Sequence, residues 1–257
     1  MEASPIRLAA GRVSVWVADA RPEADPALLR FLPEEELARC GRYLREEDRR
    51  TCRTARLLTR WVLARATGIE PGSLSLCSTE RGRPFLPAPD GGLHPVRFSL
   101  AHSGGLVALA LSIGADIGLD LEDTSRPIDR EALARRFFSP GEASSLACLP
   151  EALRPSRFFA LWTLKEACFK ALSGGVFMGL SRAVFGFPAL GEISASFSPK
   201  LPAQAASLCF ALAEPRPGWL AALAHPGPFE AEFFACSPFL SEEPLPARVL
   251  ALSPLAP

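Results

Sequence analysis

The stretch IGLDLE, residues 117–122, lies shortly before the midpoint of the chain and alternates apolar and acidic side chains. Successive side chains of a β-strand point to opposite faces, so the two leucines face one side, and Asp120 and Glu122 face the other. The two carboxylates then lie roughly 6–7 Å apart and repel each other unless a cation lies between them. Magnesium prefers such oxygen ligands. A solvated face of an edge strand explains the same pattern, so both interpretations stay open.

A helix predicted over residues 156–172 carries the other acidic candidate. Its apolar positions recur at helical spacing, and Gly174-Gly175 are predicted to end it. Glu166 and Lys170 are four residues apart and share one helix face, which fits an ordinary salt bridge worth about 0.3–0.5 kcal/mol. It also fits a third carboxylate beside the strand pair, with the lysine near a phosphate oxygen.

Arginines are concentrated between residues 39 and 65, where four of them follow helical spacing. The pattern fits a solvated amphipathic face, and it fits a phosphate-binding surface, because arginine matches phosphate geometry. The glycine-rich turn that ends FSLAHSGG (98–105) can present backbone N–H groups to an anion. The four spaced arginines are Arg49, Arg53, Arg56 and Arg60.

Composition narrows the class of protein. Of 257 residues, 28 are basic and 28 are acidic, so no net field favours a nucleic-acid or membrane partner. No signal peptide is recognisable and no run reaches the ~18 apolar residues of a membrane span, so we expect a cytoplasmic protein. The seven cysteines are widely spaced without a C-x-x-C pair, and we expect buried small side chains rather than a zinc site or disulfides.

Both halves of the chain combine helices with a few antiparallel strands. In the first half, helices are predicted over residues 26–45 and 48–67. This pattern predicts an α+β fold of two subdomains, residues 1–113 and 114–240, followed by a loose Pro-rich tail at residues 241–257.

Five segments, in this order, resemble the Sfp-type branch of the 4′-phosphopantetheinyl transferases. The resemblance covers about residues 35 to 225, and its specific part is G-x-D-x-E followed roughly forty residues later by W-x-x-K-E-x-x-x-K. The segments are RGRP (81–84), FSLAHSGG (98–105), IGLDLE (117–122), RRFFSPGE (135–142) and FFALWTLKEACFKALSGG (158–175).

The resemblance implies two similar α+β subdomains related by a pseudo-twofold axis, with coenzyme A bound at their interface. It implies an enzyme that transfers the 4′-phosphopantetheine group from coenzyme A to a serine of an apo acyl, peptidyl or aryl carrier protein. The reaction would depend on Mg²⁺ and release adenosine 3′,5′-bisphosphate. We expect a monomer, because two subdomains of one chain can build the whole site.

The resemblance also assigns roles to the residues of the two acidic segments. Asp120, Glu122 and Glu166 look like the magnesium ligands, and Lys170 looks like the cationic partner of the pyrophosphate. Asp120 and Lys170 would therefore contact the cofactor as well. Glu166, or a water held by the metal site, would accept the serine proton, and we favour Glu166.

A second set of residues resembles the contacts to the nucleotide and its 3′-phosphate. The family commonly has a serine before the histidine of this set, whereas this chain has Ala101, so one hydroxyl contact is missing. The nucleotide contacts that the resemblance implies are Arg39, Arg81, Arg83, His102 and Ser103.

Two alternative functions remain compatible with these residues. A metal-dependent phosphodiesterase or nucleotidyl hydrolase would use the same carboxylates but consume water instead of a protein serine. A non-catalytic module that binds carrier proteins would have lost ligands, and the intact set of three acids and Lys170 argues against it.

Overall fold

The computed structural model describes residues 5–172 and 179–253. Gly174-Gly175, the predicted helix end, lie outside the described residues. The α-helices in these ranges are α1 (Glu34–Gly41), α2 (Glu46–Thr67), α3 (Arg130–Phe137), α4 (Pro140–Cys148) and α5 (Arg154–Ala171). The strands are β1 (Arg12–Asp19), β2 (Cys77–Ser78), β3 (Pro84–Phe85), β4 (Val96–Ser103), β5 (Leu106–Ile113), β6 (Gly118–Asp123), β7 (Ala183–Gly186), β8 (Ser194–Phe197), β9 (Leu208–Arg216), β10 (Trp219–Pro226), β11 (Glu230–Ser237), β12 (Ser241–Pro244) and β13 (Arg248–Leu252).

The chain divides into two compact units. The first runs to Ala115, and the second begins at Asp116, close to the predicted boundary. The segment Glu230–Pro246 groups with the first unit, although the sequence assigns most of it to the second subdomain. Residues 241–244 and 248–252 form β12 and β13, so the prediction of a loose tail is wrong there. Their backbone groups are satisfied by pairing with β11 and β9, which sequence composition does not reveal.

The first unit has a five-stranded sheet in the order β12-β11-β1-β5-β4. β1 is antiparallel to β5 and parallel to β11, and β4 and β5 form a hairpin. Helix α2 packs on this sheet, with Leu58 and Val62 fully buried in a core that also contains Trp16 and Leu109. Gly68 ends the helix at a φ of 74°, as its position in the sequence predicts.

The single helix predicted over residues 26–45 is wrong. The structure has a 3-10 helix at Pro26–Phe31 and a separate α1 that begins after Pro33. A proline inside a helix lacks the N–H donor and clashes with the preceding turn, so the chain breaks at this residue.

The second unit has a four-stranded antiparallel sheet in the order β13-β9-β10-β6. Helix α5 packs on it, with Phe158, Leu164 and Phe169 fully buried. In both units, a first strand pairs with the second strand of a later hairpin, β1 with β5 and β6 with β10, and a long helix lies between them in sequence. This shared topology confirms the predicted pair of similar α+β subdomains.

A buried ion pair connects α5 to the rest of the second unit. The Lys165 side chain is fully buried and donates to Glu142 Oε2 at 2.8 Å and to the carbonyl of Leu180 at 3.1 Å. Glu142 also accepts the Phe185 N–H at 2.9 Å and closes a capping box with Ser139 at the start of α4. The sequence analysis missed α4, although Ser139 and Glu142 have capping-box spacing.

Helix α5 approaches β6 very closely at Gly118. A Cβ at this position would lie 1.9 Å from the carbonyl oxygen of Ala167 and 2.7 Å from the backbone nitrogen of Ala171. Backbone atoms cannot move aside as a flexible side chain can. Only glycine therefore allows this approach, and every second residue after it, including Asp120 and Glu122, faces the helix.

We expect Gly118→Ala to destabilise the protein by at least about 3 kcal/mol, because the added methyl overlaps helix backbone. Chemical unfolding followed by circular dichroism measures the change. Gly141→Ala is the matched control, since a Cβ at Gly141 meets nothing within 4 Å. The stability of that variant should equal that of wild type or exceed it by up to about 1 kcal/mol, because alanine favours a helix more than glycine does. Equal stability of the two variants would contradict this account of the helix approach.

Candidate active site

The two acids of β6 are buried against helix α5. Asp120 is 7% exposed and Glu122 is 9% exposed, so the alternative of a solvated strand face is excluded. Glu122 accepts a hydrogen bond from Arg126 at 3.0 Å. Two buried carboxylates on one strand face carry an electrostatic cost that nearby cations must offset.

Helix α5 brings two more charged residues to this face. Lys170 Nζ lies 2.8 Å from Asp120 Oδ1, so the lysine pairs across to the strand. Glu166, one turn earlier, is half-buried and feels the charges of Asp120, Glu122 and Lys170. The structure therefore brings together the four charged residues that the sequence analysis assigned to catalysis and metal binding.

The environment of Glu166 shifts its ionisation strongly. Burial is the largest cause, and the neighbouring charges of Asp120 and Glu122 add to it, whereas Lys170 opposes them. Together they raise the pKa of Glu166 from 4.5 to about 7. A carboxylate with a pKa near neutrality can both accept and release a proton under physiological conditions.

The oxygen atoms of these acids suit a hard divalent cation. Asp120 Oδ2 is buried and has no hydrogen-bond partner among the described residues. Such an orphaned oxygen, beside a glutamate whose charged form is disfavoured, marks negative charge that the described residues leave uncompensated. All three acids offer oxygen, the donor that Mg²⁺ prefers.

The acids do not form a complete metal cage by themselves. Within residues 5–172 and 179–253, no group of three or more His, Cys, Asp or Glu side chains is arranged to hold a metal ion. The pairs with Lys170 and Arg126 occupy one oxygen of Asp120 and one of Glu122.

The raised pKa of Glu166 predicts a pH-dependent stability. Between pH 4.5 and 7 the folded protein keeps a proton on Glu166 that the unfolded chain releases, so this residue lowers stability as pH rises through that window. Glu166→Gln removes the effect. In EDTA, the melting temperature of the variant relative to wild type should rise between about pH 5 and pH 8. For the exposed Glu151→Gln variant, the difference in melting temperature from wild type should be the same at every pH. The same constancy for Glu166→Gln would refute the pKa shift.

The first unit contains a cleft of about 510 Å³. Two of the five predicted nucleotide contacts line it, Arg39 from α1 and His102 from β4, and Gly82 and Pro84 of the RGRP loop line it as well. The Arg39 guanidinium has no partner among the described side chains. Arg81, Arg83 and Ser103 are not lining residues, and Ser103 is buried on the face of β4 opposite the exposed His102.

The ridge of four arginines does not form a phosphate-binding surface. Arg60 is buried, and its guanidinium makes two hydrogen bonds to Glu36, at 2.9 and 3.1 Å. Arg49 and Arg53 are paired with acids of the same unit. Arg56 alone of the four lines the cleft, 3.9 Å from Glu36. These arginines instead pair mainly with acids of the first unit. Their spacing along one helix cannot distinguish such pairing from anion binding.

Cys40 and Cys52 form a disulfide that joins α1 to α2, with Cα atoms 5.4 Å apart. The expectation that the cysteines are simple buried side chains is wrong for this pair, and it is also wrong for Cys77 and Cys148, which are exposed. The two residues are 12 positions apart, and no motif indicated that the α1–α2 turn would bring them together. Cys52 and the free thiol of Cys77 both line the cleft.

In comparisons with known proteins, both units match families of 4′-phosphopantetheinyl transferases. Residues 116–223 match the 4′-phosphopantetheinyl transferase superfamily, and residues 21–113 match the N-terminal region of a 4′-phosphopantetheinyl transferase family. None of the helices in the described part of the chain has the length and apolar character of a membrane span.

Three relatives illustrate the similarity. The chain is 38% identical over 148 residues to 4′-phosphopantetheinyl transferase HetI of Nostoc sp., covering 56% of this chain and 61% of the relative. It is 34% identical to a Synechocystis sp. protein whose name also carries 4′-phosphopantetheinyl transferase, covering 66% of this chain and 68% of the relative. It is 30% identical to 4′-phosphopantetheinyl transferase Sfp of Bacillus subtilis, covering 62% and 67%.

Proposed function

The chain belongs to the 4′-phosphopantetheinyl transferase superfamily, and we propose that it transfers the 4′-phosphopantetheine group from coenzyme A to a serine of an acyl or peptidyl carrier protein. The observation that carries this proposal is the buried face of the second unit, where Asp120, Glu122 and Glu166 interact and Lys170 pairs with Asp120. Carboxylates and a lysine at one place suit the transfer of an anionic phosphate group.

The reaction must move one proton and exchange one phosphorus–oxygen bond. The serine Oγ attacks the β-phosphorus of coenzyme A, and the bond from that phosphorus to the bridging oxygen breaks. Adenosine 3′,5′-bisphosphate leaves with the bridging oxygen and its electron pair. The serine proton passes to the Glu166 carboxylate, which acts as the general base.

Lys170 would hold the pyrophosphate through its ammonium group. This side chain is 31% exposed, so it can turn from Asp120 Oδ1 toward a phosphate oxygen without crossing the core. A point charge beside the leaving group stabilises the negative charge that develops there. Asp120 returns the lysine to its resting position when the product leaves.

Asp120, Glu122 and Glu166 would be the residues that hold magnesium. Oδ2 of Asp120 is the best placed of their oxygens, because it is buried and has no partner within the described residues. Bound at this face, Mg²⁺ would neutralise pyrophosphate charge and would favour the ionised form of Glu166.

The cleft of the first unit would hold the nucleotide end of coenzyme A. Arg39 offers a guanidinium with no partner among the described side chains, and His102 is exposed at the same cleft. A planar guanidinium and an imidazole both suit a phosphate group.

Incubation with coenzyme A, Mg²⁺ and several apo carrier domains tests the proposal directly. We expect intact mass spectrometry to show a carrier gaining one phosphopantetheine group, with adenosine 3′,5′-bisphosphate released in equal amount. Glu166→Gln should slow this transfer by about 10²–10⁴-fold, the usual contribution of a general base. Its folded fraction, followed by circular dichroism, should equal that of wild type.

Glu151→Gln is the matched control, because Glu151 is an exposed glutamate of the same unit and should leave the rate unchanged. Near-wild-type transfer by Glu166→Gln would remove this residue from the mechanism. Release of adenosine bisphosphate without any carrier would indicate a hydrolase instead. No modification of any carrier would refute the proposed function.

Arg39→Ala should weaken binding of adenosine 3′,5′-bisphosphate about tenfold, the value of one charge-assisted hydrogen bond. Binding of adenosine 5′-monophosphate, which lacks the 3′-phosphate, should change little. Isothermal titration calorimetry measures both affinities. Arg42→Ala is the control, because Arg42 is exposed and is not a lining residue of the cleft. Equal losses for the two nucleotides would mean that Arg39 does not bind the 3′-phosphate.

A further inference from the structure

The disulfide between Cys40 and Cys52 lies at the edge of the nucleotide cleft. Cys40 is 2% exposed, whereas Cys52 is half-buried and lines the cleft. One of the two cysteines therefore belongs to a surface that small molecules can reach. Accessible disulfides are the ones that external thiols reduce most readily.

Helix α1 depends on few attachments. It has eight residues and no side-chain hydrogen bond at its N-cap, and a helix this short is not stable alone. Near its start, Glu36 pairs with Arg60 of α2. Near its end, the disulfide joins Cys40 to the same helix. Arg39 precedes Cys40 directly, so the disulfide fixes the turn that carries this arginine.

We propose that the Cys40–Cys52 disulfide is a thiol-reactive site whose reduction lowers the affinity of the cleft for ligands with a 3′-phosphate. The inference rests on the proposed function, because it takes Arg39 as the residue that binds the 3′-phosphate. The reductant it implies is a small-molecule thiol that enters the cleft.

The exchange proceeds in two balanced steps. An external thiolate attacks Cys52 Sγ, the sulfur–sulfur bond breaks, and Cys40 leaves as a thiolate that takes up a proton. A second external thiolate attacks the external sulfur of the mixed disulfide and releases Cys52. The protein disulfide is reduced to two thiols, and two external thiols are oxidised to one disulfide.

Reduction removes the disulfide between α1 and α2 and leaves the Glu36–Arg60 pair in place. The Glu36–Arg60 pair is buried and still holds the start of the helix, so the first unit stays folded. The end of the helix becomes free to move, and Arg39 loses its fixed position. Ordering this arginine again on binding then costs free energy that the oxidised protein does not spend.

Calorimetry with the full chain tests the inference. The oxidised protein and the protein reduced by dithiothreitol are titrated with adenosine 3′,5′-bisphosphate and with adenosine 5′-monophosphate. Mass spectrometry after alkylation counts the thiols in each sample. We expect reduction to weaken binding of the bisphosphate between about threefold and tenfold, up to the value of one charged hydrogen bond. The monophosphate should bind equally in both states.

Three variants separate the disulfide from other effects. Cys52→Ala and Cys40→Ala should bind the bisphosphate as the reduced wild type does and should not respond to dithiothreitol. Cys77→Ala should respond as wild type does, which assigns the effect to the pair rather than to the free thiol in the cleft. Arg39→Ala should abolish the response.

Two results would overturn the inference. One is full reduction without any change in bisphosphate affinity, and the other is an oxidised protein in which Cys40 and Cys52 remain free thiols. If the oxidised and reduced proteins bind the bisphosphate equally and transfer to a carrier is normal, the inference is rejected and the proposed function stands. Weaker bisphosphate binding on reduction, in a protein that modifies no carrier, would support the inference and reject the transferase.

Discussion

The close approach of α5 to β6 at Gly118 is the constraint on which the carboxylate face depends. A side chain there would overlap the helix backbone, with its Cβ 1.9 Å from the carbonyl oxygen of Ala167. With glycine, the helix lies so near the strand that Lys170 reaches Asp120 and the charges of both acids reach Glu166. A strand face that would otherwise be solvated becomes a low-dielectric surface, where each charge strongly affects its neighbours.

The buried pair of Lys165 and Glu142 limits how α5 can rotate about its own axis. Lys165 precedes Glu166 directly, and successive helix residues are about 100° apart around the axis. The lysine ammonium is bound to Glu142 and to backbone carbonyls, so its direction is fixed by several hydrogen bonds. A rotation of α5 that moved Glu166 away from β6 would break these bonds and leave two buried charges unpaired. The structural charge pair and the candidate catalytic charges are therefore set by the same helix orientation.

Sequence reasoning found what local pattern encodes and missed what distant pairing decides. Alternation placed Asp120 and Glu122 on one strand face, and the shared helix face of Glu166 and Lys170 follows from their spacing of four. The helix break at Pro33 and the capping box at Ser139 are also local patterns, although the predicted helices did not take them into account. By contrast, the pairing of Glu230–Pro246 with the first unit and the Cys40–Cys52 bond join residues that no short motif relates. The alternation also gave no sign that both strand acids would be buried, because burial depends on the helix above them.

Net charge and charge pairing together locate where this protein can hold an anion. Its 28 basic and 28 acidic residues give no net charge, so a phosphate must bind at a local basic side chain that is not paired with an acid. Pairing removes Arg49, Arg53 and Arg60 from that search, since each already contacts a carboxylate. Arg39 has no such contact among the described residues, and it faces a cleft beside His102. A guanidinium that keeps its full solvation until a ligand arrives loses no existing ion pair on binding, so more of the phosphate interaction appears as affinity.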